Sequence, residues 1–130
     1  MSYADPERRQ YSFGPNTFTG DVAESIRGPK GKKGLLRWAH AHATTTFAGA
    51  TTRPKLQLGV SGTLTAYMNW DMGTLAAGSA ISTDDSLQTS NPITNAEIPA
   101  DTNLVVGLIA ATGGGAAGVG RVELCIDWSV

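Results

Sequence analysis

The 130-residue sequence predicts an all-β sandwich, and three observations carry that expectation. Residues 122–128 alternate strictly, with Val122, Leu124, Ile126 and Trp128 on one face and Glu123, Cys125 and Asp127 on the other, the period-two pattern of a half-buried strand. Residues 55–67 repeat the pattern, with Leu56, Leu58, Val60, Leu64 and Ala66 on one side. Between such runs lie segments rich in the 16 glycines and 6 prolines, and hardly a stretch has helical periodicity.

In chain order, residues 1–20 show neither period and read as an extended N-terminal arm, leaving residues 21–130 as a single sandwich domain. Tyr3, Tyr11, Phe13 and Phe18 make that arm too aromatic for a disordered tail, so it is expected to order on a partner or on the domain itself. Residues 21–28 fit a short capped helical turn and a short strand about equally, Asp21 and Glu24 having capping-box spacing. Residues 29–34 are a turn by composition, and Lys33 in place of Ser/Thr excludes a P-loop.

Threonines and aromatics favour a strand over residues 35–47, which places Leu36, Trp38, His40 and His42 on one face. Gly59 and Gly62 mark either a bulge in one strand or a break between two. Residues 67–75 close one side of the core around Trp70 and Leu75. Residues 76–101 form long connections, with one short strand near residues 80–82, since Pro92 and Pro99 exclude a continuous helix. Residues 113–118 match a dinucleotide-binding glycine fingerprint, but a strand follows instead of the helix that would receive a pyrophosphate, so a hairpin turn is expected.

Charge divides along the chain. Residues 1–55 carry a net +5 and residues 56–130 a net −6, and Arg27, Lys30, Lys32, Lys33 and Arg37 crowd eleven positions. That cluster reads as a solvated loop or as a docking patch for an acidic surface, including the acidic half of a neighbouring copy. Nucleic acid is disfavoured by a pI near 6.0 and the absence of interleaved aromatics. The single cysteine and the lack of a secretion signal point to assembly in a reducing cytosol, and no run has the length of a membrane span.

Catalytic chemistry finds little support. His40 and His42 share a strand face, yet two ligands do not make a closed zinc site, and no metal or cofactor is expected. There is no nucleophile elbow, Asp84 and Asp85 lack calcium-loop spacing, and Cys125 has no neighbouring base. The expectation is a protein that is not an enzyme.

The order of the motifs is itself informative: the basic turn 28–34 entering a strand, the threonine-rich segment 44–52, Leu56 to Gly59, Ile98 to Thr102, and the glycine turn leading into residues 122–128. That order resembles the small capsid cement (decoration) proteins of tailed bacteriophages over about residues 20–130. The resemblance implies a jelly-roll-like antiparallel sandwich that binds the major capsid protein on the outer surface of the virion, bridges capsomers and stabilises the head. It implies no catalytic residues. The expected contact residues are Tyr3, Tyr11, Phe13, Phe18, Arg27, Lys30, Lys32, Lys33 and Arg37, with a homo-oligomer on the shell, a dimer in preference to a trimer. The competing reading is a carbohydrate- or receptor-binding sandwich of a tail fibre or lectin, which requires an exposed tryptophan; a self-assembling coat subunit is a third.

Overall fold

The computed structural model describes residues 7–84 and 92–130, so Tyr3 and Asp85 lie outside the described residues. Among the described residues nine strands form two antiparallel sheets: β1 (Glu7–Asn16), β2 (Val22–Ile26), β3 (Lys33–Ala48), β4 (Lys55–Val60), β5 (Thr63–Asp71), β6 (Ala80–Ser82), β7 (Glu97–Ile98), β8 (Leu104–Ile109) and β9 (Ala117–Ser129). One sheet has the order β1-β9-β3-β6, with β7 also paired to β3, and the other the order β2-β8-β4-β5. The pairs β1–β9, β2–β8, β3–β6 and β4–β5 are nested, as if one long hairpin had been rolled over on itself. Such nesting is the topology of a jelly roll, as expected.

Alternation puts the core between the sheets. Val122, Leu124, Ile126 and Trp128 of β9 face Leu56 and Leu58 of β4, Leu104, Val106 and Leu108 of β8, and Met68 and Trp70 of β5 within one buried cluster. Cys125 lies on the opposite side of β9, yet it too is buried. Gly59 and Gly62 flank a break between two strands, with a register shift between Leu58 and Val60.

Within the expected arm, residues 7–16 are ordered on the domain itself as the edge strand β1, with Tyr11 and Phe13 supplying its inward side chains. Two expectations are corrected. The glycine segment 113–118 is not a hairpin: β8 belongs to one sheet and β9 to the other, and β9 is already flanked by β1 and β3. The glycines therefore carry the chain across the sandwich. Finally, Leu36 does not share a face with Trp38, His40 and His42. Leu36 pairs with Ile126 and Trp38 with Cys125, so Arg37 is an extra residue that reverses the phase of the strand. Beyond it Ala39, Ala41 and Ala43 are buried, while His40 and His42 are exposed.

Candidate functional site

The basic turn joins β2 to β3 and passes from one sheet to the other. Gly28 and Gly34 bound it for a steric reason: a Cβ on Gly28 would fall 2.4 Å from Trp128 Cη2, and one on Gly34 would fall 2.7 Å from Trp128 Cζ3. Both ends of the turn thus lie flat on the Trp128 indole, whose Nε1 donates to the Tyr11 hydroxyl at 3.0 Å. Within the turn the Lys32 amide donates to the Pro29 carbonyl, and the Gly31 amide donates to Asp101 Oδ1 at 3.0 Å.

Most of the expected cations are matched by acids of the same chain. Arg27 lies 3.9 Å from Asp101, Lys32 3.8 Å from Glu7, and Arg37 3.5 Å from Asp127. Asp127 also accepts a two-pronged contact from Arg8, Nε to Oδ1 at 2.8 Å and Nη2 to Oδ2 at 3.1 Å. Those guanidinium bonds hold the Asp127 carboxyl below the usual carboxylate range, against the opposing effect of its burial. Among the described residues, Lys30 and Lys33 are the cations of the turn that have no ion pair, and both are exposed. Three of the five cations in the basic cluster are therefore neutralised within the fold, leaving Lys30 on the turn and Lys33 at the start of β3 without an ion pair among the described residues.

The expected aromatic contacts have inward roles. Tyr11 and Phe13 are half-buried against the core. Phe18 is 2% exposed and packs edge-on against Phe47, with ring centroids 5.3 Å apart. The structure thus brings Tyr11 and the basic turn together through Trp128 and separates Phe18 from them. Glu7, Asp101 and Asp127 are the partners that sequence reasoning missed; Asp101 lies 70 positions from Gly31, and no local pattern marks such a pairing.

Trp70 and Trp128 are buried, whereas Trp38 is half-buried on the outer face and stacked against His40 with centroids 4.2 Å apart. Among the described residues no three His, Cys, Asp or Glu side chains are grouped to hold a metal ion. Burial raises the Cys125 thiol above its ordinary value, which opposes thiolate formation.

No protein-family model and no curated protein matches the sequence. Among solved structures, the chain is similar to one described as the cyanophage Pam1 capsid asymmetric unit, at 13% identity and a TM-score of 0.40, over 95% of this chain and 86% of that one.

Proposed function

We propose that this protein is a non-enzymatic structural component of a phage virion that docks on the outer surface of the head, contacts the major capsid protein, bridges capsomers and stabilises the shell. The observation that carries the reading is the basic turn and the strand it enters: Lys30 in the turn and Lys33 at the first position of β3 have no ion pair among the described residues, beside a turn clamped by Trp128 and Asp101. A fixed cationic projection loses little freedom on meeting an acidic surface, so its charge goes into orientation and encounter rate. The jelly-roll nesting and the order of motifs along the chain support the same reading. Repetition over a symmetric shell turns a weak contact of this kind into firm attachment.

The sugar-binding alternative receives less support. Stacking on a sugar needs an open aromatic face, and two of the three tryptophans are buried while His40 occupies one face of the third.

Co-sedimentation with undecorated heads tests the proposal. The wild-type protein is expected to pellet with heads, and the Lys30→Glu/Lys33→Glu variant to bind several-fold more weakly, with both affinities falling as salt rises. Undiminished binding by the folded double variant would remove the turn from the interface, and failure of the wild type to bind heads would remove the virion role.

A further inference from the structure

Three of the four sheet edges are guarded. The β5 edge is covered by residues 92–95: the Asn69 amide donates to the Pro92 carbonyl at 2.9 Å, and the Thr94 and Asn95 amides donate to the Tyr67 carbonyl. Among the described residues the opposite sheet presents the short strands β6 and β7 at one edge. At its other edge β1 carries Arg8 and Arg9, shifts register between Phe13 and Asn16, and contains Pro15. Charges, prolines, irregularities and brevity are the usual means by which sheets avoid adding strands.

β2 has none of these protections except one charge, Glu24. Its five residues include no Pro, Lys or Arg, four of them are exposed, and Val22 is 38% exposed. Among the described residues, no strand, bridge or backbone hydrogen bond covers its outer edge. The flanking sequence is self-complementary when read antiparallel about Glu24: Asp21 falls opposite Arg27, Val22 opposite Ile26, and Ala23 opposite Ser25 of a second copy. A one-residue slip would set inward positions against outward ones, and a two-residue slip would lose both charge pairs.

We propose that β2 is a self-association edge, pairing antiparallel with β2 of a second copy about a twofold axis at Glu24 and joining two four-stranded sheets into one. Asp21 uses Oδ1 to accept the Ala110 amide at 2.9 Å, which leaves Oδ2, and Arg27 keeps donors beyond its long contact with Asp101. The two Glu24 carboxylates meet at the axis, and like charges directly opposite oppose pairing, so the contact is weak in free solution. The inference does not depend on binding to a capsid.

Sedimentation velocity over a concentration series of the full chain, without heads, tests it. A reversible dimer is expected for the wild type, tightened a few-fold by Glu24→Gln. Ala23→Lys/Ser25→Lys, which sets lysine against lysine at exposed positions, is expected to weaken it at least about tenfold while leaving the circular dichroism spectrum unchanged. Glu24→Cys should form an interchain disulfide under mild oxidation, with the buried Cys125 silent. Three results would overturn the proposal: a monomer at every concentration even for Glu24→Gln, a dimer indifferent to the paired lysines, or a monomer whose binding to heads those lysines abolish. The last would assign the edge to a shell subunit.

Discussion

Tyr11, Phe13 and Phe18 on one side, and Lys30 and Lys33 on the other, lie in neighbouring segments, and the fold uses them in opposite ways. The aromatics are drawn into the sandwich, where each ring removed from water adds to stability. The lysines are exposed, Lys30 on a turn whose backbone rests on Trp128 and Lys33 at the first position of β3. An aromatic-rich segment beside a basic one is thus a fastening beside a projection. The first adds to stability, and the proposed attachment rests on the second.

The largest effect is expected where the fastening is cut. Phe18→Ala should lower unfolding free energy by about 3–5 kcal/mol in urea denaturation, the usual loss for a buried ring. An unchanged midpoint, with head binding reduced instead, would put Phe18 in the interface and erase the contrast. Next comes the joint between the two regions. Gly28→Val forces a side chain into the Trp128 ring and should remove about 1–3 kcal/mol, read as a fall in melting temperature.

A smaller effect follows from acid. Because the Asp127 carboxyl titrates lower in the folded chain than in the unfolded one, its contribution is fully present above the unfolded value of about 3.9 and is lost as pH falls through the folded value. Melting temperature should therefore drop over that acid range, and Asp127→Asn should flatten the profile there. The least effect on stability belongs to the projection: Lys30→Glu/Lys33→Glu should change unfolding free energy by no more than about 0.5 kcal/mol while weakening attachment to heads. A large loss of stability would show that the lysines too are part of the fastening.

Alternation carried the sandwich because burying one face of a strand imposes a period that composition cannot mimic, as in residues 122–128 and in the inward side chains of β4. Tyr11 and Phe13 had the same spacing, with Ser12 between, but the nearby Gly14 and Pro15 obscured it. Arg37 shows the opposite limit. A bulge adds one residue without any composition of its own, so the strand seemed to continue in phase from Leu36 to His42 when its faces had exchanged. The basic turn was legible as a turn but not as a mostly neutralised one, since Glu7 lies 25 positions before Lys32 and Asp127 lies 90 after Arg37. The glycines before β9 gave a turn without saying which sheet it would reach.

The nested pairing also sets an order of events during synthesis. β9 is central in its sheet, hydrogen-bonded to β1 on one side and β3 on the other, so neither of those long strands can complete its pairing until the last of the nine has left the ribosome. Until then β1 and β3 present unpaired backbone, the condition in which chains stick to one another. The sandwich is therefore expected to close late and slowly, through contacts distant in sequence, and the arginines and proline of β1 guard an edge that is open in the nascent chain well before it becomes the edge of a finished sheet.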